Sequence, residues 1–294
     1  NGITIPFSCK AGSCGSCMVR CDSGELPPRA QSGLKESWKQ QGYFYACVCV
    51  PEGDLEVAPL GAGVRGSARI AAICDLSSSV KEVRLEVEGS LDFRAGQYIT
   101  LTRNEVSRSY SIASLPSDGY LSLHVRKIPQ GKMSGWVHDS ARQGDEVSTM
   151  GPFGECFYVP GQQERPLLLA GTGTGLAPLW GVMQDALAQG HTGPIHLFHG
   201  AIEPSGLYLR DELRHLAAQF ANVTYSPVVL ENPDPECLTG SLEKVIPKEL
   251  PKLGGWRAYV AGDPALVNKL RRTIFLAGAA ANDILADPFL PSAT

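Results

Sequence analysis

The chain has 294 residues, a net charge of −4 and 43% hydrophobic residues. The length predicts two or three domains of ordinary globular composition, and the negative balance argues against a nucleic-acid partner. We find no apolar run of about 18 residues and no secretory signal, so we expect no membrane partner and a cytoplasmic location.

Four cysteines near the start of the chain have the spacing of iron–sulfur ligands. Cys9, Cys14 and Cys17 form a C-x4-C-x2-C pattern, and Cys47 follows. This is the plant-type spacing for a [2Fe–2S] cluster. The odd total of nine cysteines disfavours a disulfide framework, and the unequal spacing disfavours zinc. We predict that these four thiolates hold the cluster.

The local sequence explains how four thiolates can meet. Gly12 and Gly15 permit the backbone bends of a tight loop. The apolar run from residue 44 to residue 50 predicts a strand that brings Cys47 to that loop.

Composition divides the chain into three predicted domains. Residues 1–61 form the cysteine segment, and a glycine-rich linker runs from 59 to 66. Residues 66–162 carry short alternating segments typical of an antiparallel β-barrel. Residues 163–294 alternate strands with amphipathic helices, which predicts a Rossmann-like α/β domain with a parallel sheet and helices on both faces.

A glycine-rich turn follows the first strand of the predicted α/β domain. It comprises Gly171, Thr172, Gly173, Thr174 and Gly175. Glycines let a phosphorylated ligand approach the backbone, and the following helix offers free N–H groups. The pattern is GxGxG and not the dinucleotide GxGxxG, so an ordinary glycine turn remains an alternative.

Two further motifs lie in the predicted barrel. Arg108, Tyr110 and Ser111 can bind a phosphate, stack on a flat ring and hydrogen-bond a ring nitrogen. Arg126 to Ser134 combines a basic strand end, a glycine turn and a predicted helix cap, which suits a second phosphate-binding element. An exposed strand face and a surface hairpin explain them about as well.

Taken together, these motifs resemble the ferredoxin–NADP reductase superfamily, and specifically the ferredoxin-fused reductases of bacterial aromatic-ring dioxygenases. The resemblance covers essentially the whole chain, and it implies that residues 1–61 are an N-terminally truncated [2Fe–2S] ferredoxin domain with a partial β-grasp fold. It rests on the cysteine loop and on the segments 108–111, 151–154, 171–178, 254–259, 261–264 and 286–289.

The resemblance implies roles for individual residues. Arg108 would bind the diphosphate of FAD, Tyr110 would stack on the flavin ring and Ser111 would hydrogen-bond near its N5. The phosphates would also contact Arg126, Gly131 and Ser134. The nicotinamide nucleotide would lie against residues 171–175, Gly262 and Asp263. Tyr110, Ser111 and Phe289 are the residues implied in catalysis, Phe289 as the aromatic against the flavin face.

The resemblance also implies an activity. Electrons would pass from NAD(P)H through FAD to the [2Fe–2S] cluster, and then to a ferredoxin or terminal oxygenase partner. Glu203 follows the second strand of the α/β domain and would repel a 2′-phosphate, which favours NADH over NADPH; Arg210 argues the opposite way.

Alternatives to this function remain open. They are a reductase of deoxysugar biosynthesis, a reductase of a phenol or methane monooxygenase, and a flavin-binding fragment without a working cluster.

The chain departs from the family at Ala261, where many members carry cysteine, and family ferredoxin domains begin with a further β-hairpin and helix. The sequence identifies neither the electron acceptor nor the oligomeric state.

Overall fold

The computed structural model describes Ile5 and residues 10–12, 17–59, 64–89 and 91–289. The chain forms two compact units, residues 1–63 and residues 64–294. Of the predicted cluster loop, Cys9, Cys14 and Gly15 lie outside the described residues.

The first unit is built on a small antiparallel sheet with strand order β2-β1-β3. Its elements are β1 (Met18–Ser23), α1 (Glu36–Gln40), β2 (Tyr43–Tyr45) and β3 (Glu56–Pro59). Neighbouring residues of a strand face opposite sides, so Met18 packs with Leu34 and Val19 packs with Ala30.

The predicted strand from residue 44 to residue 50 is wrong in its second half. The strand ends at Tyr45, and Ala46–Val48 forms a 3-10 turn. Tyr45 pairs with Met18, the first residue of β1, so the chain beyond Tyr45 has no further strand residue to pair with. The tertiary pairing overrides the β propensity of the apolar run.

The second unit begins with an antiparallel β-barrel, as its alternating segments predicted. Its strands are β4 (Val64–Asp75), β5 (Val80–Val87), β6 (Tyr98–Arg103), β7 (Val106–Ser111), β8 (Leu121–Arg126) and, after helix α2 (Lys132–Asp139), β9 (Glu146–Phe153). The strand order is β7-β6-β9-β4-β5-β8, and a bridge between Ile112 and Leu123 connects the two ends. Met133 and Val137 pack helix α2 onto the barrel core.

The rest of the second unit is a parallel sheet with helices on both faces. Its elements are β10 (Leu167–Thr172), α3 (Leu176–Ala188), β11 (Ile195–Ala201), α4 (Arg210–Gln219), β12 (Val223–Val229), β13 (Leu238–Thr239), α5 (Leu242–Glu249), β14 (Arg257–Gly262), α6 (Pro264–Leu276) and β15 (Ile284–Pro288). Leu167 and Leu169 join the core under α3 and α4, whereas Leu168 and Ala170 join the core under α5 and α6. Burial on both faces explains why β10 is an unbroken apolar run.

The strand order β13-β12-β11-β10-β14-β15 places the chain reversal between β10 and β14. A crevice opens at the carboxyl ends of parallel strands where the order reverses, and ligands bind there. Asp263 caps α6, because Oδ1 accepts hydrogen bonds from the N–H groups of Ala265 and Leu266 at 2.9 and 3.1 Å. Within the described ranges, no helix is both long and apolar enough to cross a bilayer.

Candidate functional site

A cavity of about 400 Å³ lies between the barrel and the parallel sheet. Its barrel wall carries Arg108, Tyr110 and Ser111 at the end of β7. Residues two apart on a strand face the same side, so Arg108 and Tyr110 are presented together. The opposite wall comes from residues 286–289, on and after β15.

Tyr110 provides a flat, uncharged wall of this cavity. Burial raises the pKa of its phenol to about 12, against the smaller opposing effect of the Arg108 charge. The ring is therefore neutral at any physiological pH. An aromatic ring at the edge of a cavity favours stacking on another flat ring.

Ser111 and Asp287 form a buried hydrogen bond in the same cavity. The Ser111 hydroxyl donates to Oδ2 of Asp287 at 2.7 Å. Burial raises the pKa of Asp287 to about 6, although the Ser111 hydrogen bond acts to lower it. A carboxyl group with this pKa can hold or release a proton near neutral pH. We did not predict Asp287 as a site residue, although it lies in the segment 286–289 on which the resemblance partly rests.

These side chains suit a flavin dinucleotide. Arg108 lines the cavity, and its Nη1 donates to the carbonyl of Ser107 at 2.8 Å. The guanidinium suits a diphosphate, the Tyr110 ring suits a planar heterocycle, and the Ser111–Asp287 pair suits a ring nitrogen that gains and loses a proton.

A second cavity, of about 710 Å³, opens at the carboxyl ends of β10, β11, β12 and β14. It is lined by Thr172, Gly173, Thr174, Glu203, Gly262 and Asp263, all predicted for nucleotide binding. A cavity at this point of a parallel sheet, beside a glycine turn, suits a dinucleotide.

The glycines of the turn have different duties. A Cβ on Gly171 would lie 2.8 Å from the carbonyl oxygen of Ala261, and one on Gly175 would lie 2.4 Å from it. Neither glycine lines the second cavity; both allow β14 to approach the turn. Gly173 has a positive φ of 53° and faces Arg126, whose Nη1 would be 3.6 Å from an added Cβ.

The predicted phosphate-binding segment is split in the structure. Arg126 is exposed at the end of β8 and lines the second cavity. Gly131 and Ser134 line neither cavity. Ser134 lies inside α2 and is not its cap: its hydroxyl accepts from the N–H of Ile128 at 3.1 Å, and Gly131 precedes the helix.

Phe289 lines both cavities. Its backbone N–H donates to the carbonyl of Gly262 at 2.8 Å, which fixes the half-buried ring beside the end of β14. The two cavities therefore share one aromatic wall.

The two residues weighed for nucleotide choice have different surroundings. Glu203 lines the second cavity, where its Oε1 accepts a hydrogen bond from Asn232 at 2.9 Å. Arg210 does not line that cavity; it forms ion pairs with Asp234 and Glu236.

Two of the four predicted cluster ligands lie in the described part of the first unit, and they meet. The Cys17 thiol contacts both the thiol and the backbone N–H of Cys47. The pKa of the Cys17 thiol is raised, and burial is the largest cause. The carbonyl of Cys17 also accepts from the N–H of Ala46 at 3.1 Å. The turn at Ala46–Val48 thus brings Cys47 against Cys17, as two ligands of one cluster require.

Comparison with known proteins agrees with this geometry. Three family models match: a 2Fe-2S iron-sulfur cluster binding domain at residues 1–52, an oxidoreductase FAD-binding domain at 67–158 and an oxidoreductase NAD-binding domain at 169–272. A reductase component of naphthalene 1,2-dioxygenase/salicylate 5-hydroxylase systems from Ralstonia sp is 33% identical, over 99% of this chain and 92% of its own length. The chain belongs to the ferredoxin–NAD(P)⁺ reductase family of oxygenase reductase components.

Other members of this reductase family are similar over comparable lengths. The phenol hydroxylase P5 protein of Acinetobacter pittii is 31% identical, over 99% of this chain and 88% of its own. The crystal structure of the Amycolatopsis cytochrome P450 reductase GcoB superposes with a TM-score of 0.74 at 29% identity, covering 99% of this chain and 92% of that chain.

The family assignment confirms the predicted fold class, activity and cofactors. The chain is an NAD(P)H-dependent oxidoreductase that uses FAD and a [2Fe–2S] cluster and passes electrons to a ferredoxin or oxygenase component. When bound, FAD accepts two electrons from the nucleotide and releases them one at a time.

Proposed function

We propose that the chain is the NADH-dependent reductase of an oxygenase that acts on an aromatic compound. The flavin ring occupies the 400 Å³ cavity against Tyr110 and Ser111, and the nicotinamide nucleotide occupies the 710 Å³ cavity. The observation that carries this proposal is the shared wall at Phe289. Hydride transfer needs the two rings at van der Waals distance, and adjacent cavities that share one aromatic wall satisfy that need.

The remaining residues have defined duties under this proposal. Arg108 and Arg126 bind phosphate groups, since among the described residues neither forms an ion pair. Ser111 orients the flavin edge, and Asp287 holds a proton at Oδ1 or Oδ2 within one hydrogen bond of that hydroxyl. Thr172 and Gly173 contact the nucleotide through the turn after β10.

The names of the relatives support an aromatic substrate for the partner, because they include naphthalene dioxygenase and phenol hydroxylase systems. Glu203 at the second cavity supports NADH as the electron donor. Arg210, the residue that argued for NADPH, is neutralised by its ion pair with Asp234 and does not line this cavity.

The flavin position is tested by comparing Tyr110→Leu with Tyr120→Leu. Tyr120 is also in the barrel, but its ring packs under Arg84 and lines neither cavity. We expect Tyr110→Leu to weaken FAD binding about tenfold or more through the lost stacking, and Tyr120→Leu to change it less than twofold. Equal effects would contradict the proposed flavin site.

The electron acceptor is tested by reconstitution. The purified chain, NADH and candidate partners are combined anaerobically, and partner reduction is followed by absorbance. We expect an aromatic-ring oxygenase or its ferredoxin to be reduced. Reduction of a deoxysugar dehydrase alone would assign the chain to deoxysugar biosynthesis, and flavin reduction without a reducible [2Fe–2S] signal would show a flavin module.

A further inference from the structure

A buried histidine on the wall of the 400 Å³ cavity has no assigned duty. His124 lies on β8, is 6% exposed and lines the cavity. Its Nδ1 lies 3.0 Å from the hydroxyl of Tyr208, and the two rings meet edge to face. Tyr208 belongs to the segment between β11 and α4, so this contact joins the barrel to the parallel sheet.

The contact fixes which nitrogen of His124 carries the proton. Burial raises the pKa of Tyr208 well above its ordinary value, so the phenol keeps its proton. A buried hydroxyl that does not donate loses a hydrogen bond, and within the described residues Nδ1 of His124 is its partner. The phenol therefore donates to Nδ1, and the single ring proton of the neutral imidazole is on Nε2.

His124 is also neutral at physiological pH. Burial lowers its pKa to about 4, and the nearby Glu82 carboxylate only partly opposes this. Because Nδ1 is bonded to Tyr208, Nε2–H is the remaining polar group of the ring that can bind a ligand in the cavity. The cavity wall thus contains a neutral hydrogen-bond donor of fixed direction.

We propose that His124 donates Nε2–H to the flavin ring and that Tyr208 is the positioning residue that holds His124 in this tautomer. The proposal rests on the proposed position of the flavin in this cavity. A hydrogen bond to an acceptor strengthens as that acceptor gains negative charge. The pair therefore favours the reduced flavin over the oxidised flavin.

The backbone around Tyr208 supports a fixed position for its side chain. Leu209, the next residue, has a left-handed φ of 54°, which is unfavourable for a residue with a branched side chain. Such strain persists only where the surrounding structure imposes it. The same segment lines the second cavity with Glu203, Ser205 and Gly206, and through Tyr208 it contacts a wall residue of the first cavity.

The protein contains a matched control for this pair. Tyr158 and His191 form a second buried tyrosine–histidine contact, with the hydroxyl 3.1 Å from Nδ1 and the rings edge to face. Neither residue lines the 400 Å³ cavity. Removing the Tyr158 hydroxyl therefore costs a similar hydrogen bond without changing a group that faces the flavin.

The test compares Tyr208→Phe with Tyr158→Phe in the full chain. FAD affinity is measured by fluorescence titration, and the flavin midpoint potential gives the ratio of the affinities for reduced and oxidised FAD. We expect Tyr208→Phe to lower this ratio about fivefold, the difference between a charged and a neutral hydrogen bond. Tyr158→Phe should change it less than twofold, while both variants lower the melting temperature similarly.

Two substitutions at His124 complete the test. His124→Gln keeps an N–H donor near the position of Nε2 and should retain most of the ratio, whereas His124→Leu should lose at least as much as Tyr208→Phe. An unchanged ratio in Tyr208→Phe, or an equal change in Tyr158→Phe, would overturn the inference. If the parent chain binds no FAD, the proposed flavin site itself is wrong.

Discussion

The Ser111 hydroxyl and the Asp287 carboxylate share a hydrogen bond of 2.7 Å although 176 residues separate them in the chain. One belongs to the barrel and the other to the edge strand of the parallel sheet. Both line the same cavity. The hydrogen-bonded pair that can hold a proton in this cavity is thus built from one residue of the barrel and one residue of the parallel sheet.

Asp287 should make the stability of the flavin-free chain depend on pH. Its pKa of about 6 in the folded chain exceeds the ordinary 3.8, so between these values the folded state binds more protons than the unfolded state. Stability therefore falls as the pH rises through this window, and the loss is complete above about pH 6. Asp287→Asn should be more stable than the parent at pH 8, by up to about 3 kcal/mol.

Urea unfolding at pH 4 and pH 8 measures this difference. The advantage of Asp287→Asn should be present at pH 8 and largely absent at pH 4. Asp92→Asn, at an exposed aspartate, should follow the parent at both. An advantage of equal size at the two pH values would mean that burial of the carboxylate charge is not its cause.

Glu203 should set the choice of nucleotide. Its carboxylate lines the second cavity and would repel a 2′-phosphate. Removing one charge in Glu203→Gln should reduce the preference for NADH over NADPH about tenfold, measured as the ratio of the two kcat/KM values. Glu231→Gln, at an exposed residue outside the cavity lining, is the control. A parent chain that prefers NADPH would refute this assignment.

Gly12 should be required for the cluster and not only for the fold. Its φ is 67°, and an added Cβ would lie 3.1 Å from the side chain of Val48, next to Cys47. Gly33 has a similar φ of 79° but open space around it. Both alanine variants should lose about 1–2 kcal/mol of stability from the left-handed backbone. We expect only Gly12→Ala to lose bound iron, assayed per chain; equal iron contents would argue against a tight cluster loop.

The hairpin between β6 and β7 should accept a stabilising substitution. Asn104 and Glu105 have φ values of 46° and 65°, the conformation of a two-residue turn that favours Asn-Gly. Glu105→Gly should stabilise the chain by about 0.5–1 kcal/mol because it removes Cβ strain. Glu105→Ala keeps the Cβ and should give no gain. Thermal unfolding of both variants shows whether the gain in stability comes from relief of backbone strain or only from loss of the Glu105 charge.

The sheet architecture could be predicted from sequence because burial of a strand or helix face imposes a pattern of apolar residues on neighbouring positions. The alternation around β5 and β8 indicated an antiparallel barrel, and the alternation of strands with amphipathic helices after residue 163 indicated a parallel sheet covered on both faces. The residues of the β7 motif could likewise be selected, since they lie close together on one strand.

The missed features depend on contacts between distant parts of the chain. Nothing near Asp287 in sequence reveals Ser111, and nothing near His124 reveals Tyr208. The turn at Cys47 was missed for the same reason, since the strand stops where its pairing partner begins and not where its own propensity falls. Local sequence does not encode such partners.

The position of β15 has a consequence for biosynthesis. The barrel strands are complete once residue 153 has been made, whereas Asp287 and Phe289 come more than a hundred residues later. A nascent chain can thus close its barrel long before the opposite wall of the flavin cavity exists. Tight cofactor retention should begin only after β15 has left the ribosome and docked beside β14, so ribosome-bound chains stalled before residue 284 should fold a barrel that releases FAD readily.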